Sequence, residues 1–376
     1  MKFIFQNIRQ RYHLKDYKFG LAALVTAISI IGIFVVGSAQ AAVQGKQIAG
    51  VILGTIVMIV ISLIDYEWVL NLYWPLYGLN LILLLAVRFF GEKVNGATRW
   101  LDLGFVLFQP SDLTKIITIL FFAKFLMERK QKINNKMTII QAVALIFPSL
   151  FLIHKQPNLS NTICLAALFC IMLYMGGLSY KFIGTVLAIV IPASILLLAA
   201  AVQPNQPFLK GYQQKRILAW LEPEKYATDE AYQQINSVMA IGSGMLTGKG
   251  YNNNTTTSVK NGNFISEPQT DFIFAIVGEE LGFVGCCIVI ILLLLIVIDC
   301  ILIGTKAKDT GGKLICGGVA TLIAIQTFIN ISVATQMFPN TGISLPFVSY
   351  GLTSIVCFYM GIGFVLNVGL QPNKYQ

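Results

Sequence analysis

Asp271, Glu279 and Glu280 lie within the stretch Glu267–Gly285, between a polar segment of about Gln203–Gln269 and a run, Cys286–Ile303, whose only charge is Asp299. Carboxylates placed where water gives way to lipid are costly to keep ionised, so a fold either uses them or neutralises them. On a helix begun near Asp271, Ala275, Gly278 and Gly282 share one stripe, Glu279 lies about a quarter-turn away and Glu280 points to the opposite side. Asp271 and Glu279 can then share a cavity, and Glu280 is left out of it. A structural reading stands beside this one, in which Asp271 caps the helix and the two glutamates make internal hydrogen bonds.

Cations supply the second group. Arg99 sits in the loop Glu92–Gly104, and Lys115 follows Gln109-Pro110-Ser111-Asp112 into an apolar run that also contains Lys124. A lysine at membrane depth costs roughly 2.5 kcal/mol or more and usually faces a cavity or an acidic partner. Asp112, three residues before Lys115, is such a partner, whether the pair fixes the span or serves a site. Lys124, near the other end of the run, is expected to snorkel to the cytoplasmic face. The turn His154–Thr162 can be read as a polar turn with a helix cap. The run Gly242–Gly250 lacks the spacing of a nucleotide loop and leaves only the expectation of backbone N–H groups near an anion. Phe338–Gly351, with two prolines and two glycines, cannot be a regular helix and is tolerated at membrane depth only where it is buried or lines a wet cavity.

The elements that must position these residues are apolar. With 376 residues, 56% of them hydrophobic and 12% charged, the chain reads as an all-α polytopic membrane protein. Apolar runs cover about Phe19–Ala39, Ile48–Ile64, Trp68–Val87, Leu113–Met127, Ile139–Ile153, Ile163–Gly177, Phe182–Val202, Phe272–Ile303, Leu314–Met337 and Ser349–Gly369. They imply about ten transmembrane helices in one integral membrane domain, residues 1–376. Lys and Arg gather in the tail (residues 1–18), in Glu128–Lys136 and in Lys306–Lys313, whereas the short loops of the other side hold only Lys46, Arg88, Lys93, Arg99 and Lys155. The positive-inside rule then puts both termini in the cytoplasm and the large loop between the seventh and eighth spans, residues 203–270, outside. That loop holds two amphipathic pieces, Gly211–Leu221 and Tyr232–Ile241.

Some chemistries are excluded. The seven cysteines lie in apolar segments without CxxC spacing and read as buried small hydrophobes, and with only His13 and His154 a histidine-based zinc site or triad is not supported. The net charge of +10 is spread over ends and loops, without the aromatic-interleaved basic cluster of a nucleic-acid surface.

The strings Asn95–Leu101, Gln109-Pro110-Ser111-Asp112 with Lys115, Lys155–Leu159, Gly248-Lys249-Gly250, Thr270–Phe274 with Glu279–Gly282, and Asn340–Gly351 together resemble the SEDS family of shape, elongation, division and sporulation proteins (RodA, FtsW, SpoVE), in family order and over nearly the whole chain. The short tails bring the pattern nearer the RodA branch. The resemblance implies a ten-span peptidoglycan glycosyltransferase that polymerises lipid II at the outer face of the bacterial cytoplasmic membrane alongside a class B penicillin-binding protein. It implies that Asp271 is the catalytic residue and that Arg99 and Lys115 match the family's conserved arginine and lysine. Three positions depart from the pattern: Asp112 replaces a glutamate, Asn158 replaces an aspartate, and Leu352 stands where a second glycine is usual. As a mechanism, Asp271 would act as base toward the acceptor sugar hydroxyl, with Arg99, Lys115, Lys249 and Arg216 steadying the pyrophosphate and Asp112, Glu279 and Ser349 completing the substrate-binding set. A divalent cation such as Mg2+ or Mn2+ would assist the leaving group, although no ligand cluster is visible. A non-catalytic scaffold for the transpeptidase and a flippase for the lipid-linked precursor are the alternatives.

Overall fold

The computed structural model describes residues 16–94, 97–102, 104, 107–156, 158–203, 211–228, 231–252, 258 and 264–371. The first fifteen residues of the tail with His13, and Asn95, Gly96, Pro157, Asn253–Thr257 and Lys374, lie outside them. The elements are α1 (Phe19–Ala39), α2 (Ala41–Ser62), α3 (Tyr66–Asn71), α4 (Tyr73–Phe90), β1 (Glu92–Val94), β2 (Ala97–Asp102), β3 (Leu107–Phe108), α5 (Pro110–Glu128), α6 (Lys136–Lys155), α7 (Leu159–Met175), α8 (Tyr180–Ala201), α9 (Gly211–Leu221), α10 (Tyr232–Ser243), α11 (Ile273–Thr305), α12 (Thr310–Ala334) and α13 (Leu352–Gly369).

Among the described residues a helix overlies each of the ten apolar runs, and eight of these helices are long and apolar enough to cross a membrane. The other two are α7, apolar but 17 residues long, and α5, whose 19 residues include Asp112, Lys115, Lys124 and Glu128. The run at Trp68–Val87 divides into α3 and α4 at Leu72, just before Pro75 in the first turn of α4, where a missing N–H costs nothing. Side-chain oxygens start several helices: Asn135 accepts from the Met137 N–H, Asn158 from that of Asn161 and Asp309 from that of Gly312. The core runs through α12, α13 and α5, which pack on one another and on α2, α7 and α11, while no described residue of α8 is buried.

The loop containing Arg99 is a three-stranded antiparallel sheet in the order β1-β2-β3, with Glu92 opposite Trp100 and Leu101 opposite Phe108. Strands this short show no alternating apolar pattern, so the sequence reads as plain loop. Lys124 Nζ donates to Asn71 Oδ1 at 3.0 Å and pairs with Glu128, the last residue of α5, at 3.6 Å.

Helix α11 begins at Ile273 rather than Asp271 and breaks at Gly282, whose φ of 66° lies in the left-handed region. The break strands the N–H groups of Phe283 and Val284 and the carbonyls of Glu279 and Glu280. The segment after α10 satisfies all four, with Met245 O and Leu246 O accepting and Lys249 N–H and Gly250 N–H donating, at 2.9–3.1 Å. The glycine-rich run is therefore a strap on a broken helix, and its N–H groups at Lys249 and Gly250 are spent on α11 rather than kept for an anion.

A Cβ at Gly282 would meet Gly248 N at 2.3 Å, whereas one at Gly184 in α8 would meet nothing within 4 Å. Gly282→Ala is expected to cost at least about 2 kcal/mol from strain and overlap, and Gly184→Ala almost nothing. Thermal melting of the two purified variants in one detergent checks this, and a Gly282→Ala protein melting with wild type would remove the strain from the hinge.

Candidate active site

A cavity of about 710 Å³ opens at the end of the bundle where α5, α7, α11 and α13 begin. Lys46, Arg99, Lys115 and Arg216 line it, with Asp102, Asp112, Glu267 and Asp271 as its acids. Each charged group arrives by a different local device. Arg99 is carried on β2 and donates from Nε to the carbonyl of Gln156, the residue that ends α6, at 3.4 Å. Arg216 projects from α9 and donates to the Asn340 carbonyl at 3.2 Å, joining the outer helix to the loop between α12 and α13.

Lys115 and Asp112 occupy the first turns of α5, where Pro110 starts the helix. Their atoms meet at 2.8 Å with side chains only 5% and 9% exposed. The shorter arm of Asp112 thus still reaches Lys115. Neighbouring helices fix this turn, since Thr114 donates to Asn80 Oδ1 at 2.7 Å and Asn161 Nδ2 donates to Ser111 Oγ at 3.2 Å. Asn158 lines the same cavity and caps α7 through the Asn161 N–H at 3.3 Å, so the amide keeps the capping role of a carboxylate without its charge.

Asp271 sits in the turn before α11, half-buried. Burial pushes its carboxyl up to about 6, the Arg99 and Arg216 guanidiniums pull it back down, and Glu267 adds to the rise. The turn is held from behind: Ser349 Oγ donates to the Thr270 carbonyl at 2.6 Å and Tyr350 N–H to the Gln269 carbonyl at 2.8 Å.

The structure gathers Asp271, Arg99, Arg216, Lys115 and Asp112 from the expected set around one cavity and separates the remaining three. Lys249 and Glu279 pair with each other at 2.8 Å at the α11 hinge, where Glu279 also accepts from Ser258, and neither lines the cavity. Glu280 accepts from Ser38 Oγ. Asp271 and Glu279 do not share a cavity because α11 starts only at Ile273, so the helical spacing that set Glu279 a quarter-turn from Asp271 does not apply. Ser349 is buried behind the Asp271 turn as a stitch between segments. The structure adds Lys46, which by sequence is only a loop charge, to the cavity wall, and it buries the amide of Asn330 in α12. An amide inside an apolar span is itself a signal that could have found Asn330. Among the described residues no group of three or more His, Cys, Asp or Glu side chains could hold a metal ion.

The family described as "Cell cycle protein", that of FtsW, RodA and SpoVE, matches residues 13–374. The chain is 34% identical over 329 residues to the peptidoglycan glycosyltransferase MrdB of Escherichia coli K12, covering 86% of this chain and 84% of that protein. It is 31% identical over 375 residues to a probable peptidoglycan glycosyltransferase FtsW of Trichlorobacter lovleyi, covering 96% and 95%. Among solved structures, a chain from a study of how a peptidoglycan synthase complex coordinates polymerization and crosslinking superposes with a TM-score of 0.78 at 27% identity, covering 94% of this chain and 97% of that one. The rod shape determining protein RodA of Thermus thermophilus superposes with a TM-score of 0.70 at 25% identity, covering 96% and 98%.

Lys115→Met leaves the Asp112 carboxylate buried beside an apolar side chain and is expected to cost about 3–5 kcal/mol, of which the double variant with Asp112→Asn regains most. Denaturation of both variants in detergent measures the difference. Equal losses would mean that Asp112 reaches solvent once Lys115 is gone.

Proposed function

The chain belongs to the FtsW/RodA/SpoVE family, and from that premise we propose that it is a peptidoglycan glycosyltransferase that extends glycan strands from lipid II in the cavity around Asp271. The observation that carries this reading is one cavity at the end of an apolar bundle into which the Asp271 carboxylate and the guanidiniums of Arg99 and Arg216 are gathered, with burial pushing the carboxyl up to about 6. A base must be ionised yet basic enough to take a proton, and a carboxylate in this range meets both needs near neutral pH.

In the reaction, the acceptor sugar's 4-hydroxyl oxygen bonds to the donor's anomeric carbon, its proton passes to Asp271, and the bond to the pyrophosphate breaks with the electron pair leaving on the phosphate oxygen. Arg99 and Arg216 hold the pyrophosphate and offset the charge that grows on it, with planar forks suited to phosphate oxygens. Lys115 contributes less than a free cation because Asp112 already balances it. A divalent ion such as Mg2+ or Mn2+ at this site would take most of its ligands from pyrophosphate and water, as Mg2+ commonly does with phosphates. The proposed setting is the bacterial cytoplasmic membrane with both termini in the cytoplasm and the cavity at the outer face, since Lys and Arg concentrate at the opposite end. The proposed partner is a class B penicillin-binding protein, and the proposed role is cell-wall elongation or division, with both MrdB and FtsW among the relatives.

Polymer assays with purified protein, its cognate class B partner and lipid II test the assignment. Asp271→Asn is expected to lower the rate about 10²–10⁴-fold while the protein stays folded and partner-bound. Equal polymer from both proteins would remove Asp271 from the chemistry and return weight to a scaffold or flippase.

The pH profile is a separate test. Because the ionised form is the base and its carboxyl sits at about 6, the rate is expected to fall about tenfold per pH unit below that value and to flatten above it. A profile flat down to pH 4 would contradict the assignment.

A further inference from the structure

We propose that Asn330 is a positioning residue for glycan transfer: from inside α12, its one amide ties the backbone of Asp271 to the loop that presses Gly342 against the Asp271 carboxylate. This rests on Asp271 being the base and adds the element that aims it. Asn330 Nδ2 donates to the Asp271 carbonyl at 2.9 Å and to the Ile343 carbonyl at 2.7 Å, and the side chain is 1% exposed. Its Oδ1 finds no hydrogen-bond partner among the described residues. An amide half-satisfied at this depth is costly, so the two donations are what hold it there.

The bond to Ile343 sets the position of Gly342. Gly342 has a φ of 64°, and a Cβ there would lie 2.9 Å from Asp271 Oδ2, so bare backbone covers one face of the carboxylate and excludes water from it. The same loop carries Asn340, whose carbonyl accepts from Arg216. One amide thus registers the base, the surface that dehydrates it and the anchor of a pyrophosphate-facing cation. The charged groups around Asp271 are Arg99 from β2, Arg216 from α9 and Glu267 from its own segment. Asp102, Asp112, Lys115, Lys46 and the Tyr350 hydroxyl line the remaining walls.

Asn330→Leu keeps the branching and the heavy-atom count, adds some bulk and removes both donors. Asn367→Leu is the matched control at the opposite end of the bundle: Asn367 is fully buried, donates to the Ser62 carbonyl at 2.8 Å and accepts from the Tyr66 N–H at 2.9 Å, far from the cavity. Full-length variants in lipid nanodiscs are compared by lipid II polymerisation across pH, by thermal melting and by infrared titration of the Asp271 carboxyl band, identified as the band absent from Asp271→Asn. The proposal expects Asn330→Leu to lower kcat at least about tenfold. Water readmitted to the carboxylate should also lower both the acid midpoint of the rate and the infrared midpoint by about half a pH unit or more. Asn330→Ala, which removes the same donors without adding bulk, should lower both midpoints as well, and Asn367→Leu should lower melting with both midpoints unchanged. An Asn330→Leu or Asn330→Ala protein that melts lower while both midpoints stay at wild type overturns the proposal, since that is a structural role alone. If Asp271→Asn still polymerises, the base assignment fails, and the infrared midpoint in the Asn330 variants still decides whether Asn330 sets this carboxyl.

Discussion

Irregular backbone in an apolar bundle must find internal partners for its N–H and C=O groups, and this constraint organises the cavity end of the molecule. Two non-helical segments meet there, the turn that carries Asp271 and the loop Phe338–Gly351. Neither has a ladder of its own, so polar side chains from the surrounding helices serve them. Gln47 of α2 reaches toward the carbonyls of Val348 and Ser349, Gln234 of α10 donates to that of Phe338, and Asn330 of α12 serves Asp271 and Ile343. The cavity exists because these bonds hold the segments in place where a continuous helix would have filled the space.

The same arrangement sets the electrostatics. Asp271 is pushed toward neutrality by burial and back toward ionisation by Arg99 and Arg216, and the balance leaves it titrating near the pH at which a base is useful. Backbone carbonyls help to hold the arginines, that of Gln156 accepting from Arg99 and that of Asn340 from Arg216. Lys115 is paired with Asp112 within its own helix turn, and its weight falls on fixing the start of α5.

The hinge of α11 shows how near a motif can lie to a site without belonging to it. Lys249, Glu279 and Glu280 have the residue types of a charged active site. The break at Gly282 draws the strap from Met245 to Gly250 against the helix, and these side chains close that contact, Lys249 on Glu279 and Ser38 on Glu280. The hinge matters to the cavity because α11 begins immediately after Asp271, so the packing that fixes the helix also fixes its first turn.

Much of this was legible in the sequence. Lipid demands long apolar runs of fixed minimum length, so the helices and their approximate ends could be read from composition alone. The proline and glycine pattern of Phe338–Gly351 marked an irregular loop because those residues restrict the backbone locally, and Asp112 marked itself as the partner of Lys115 because three residues along a helix is a contact. The motif strings carried the family, and with it Asp271, Arg99 and Lys115. The small sheet under Arg99, the late start of α11, the break at Gly282 and the role of Asn330 were decided only by the tertiary structure. Each depends on which distant backbone group is left without a partner once the helices pack, and Asn330 lies 59 residues from the carbonyl it serves at Asp271. A linear pattern records what a residue prefers among its neighbours in sequence, whereas the unpaired carbonyl that a buried amide must satisfy is created by the packing itself.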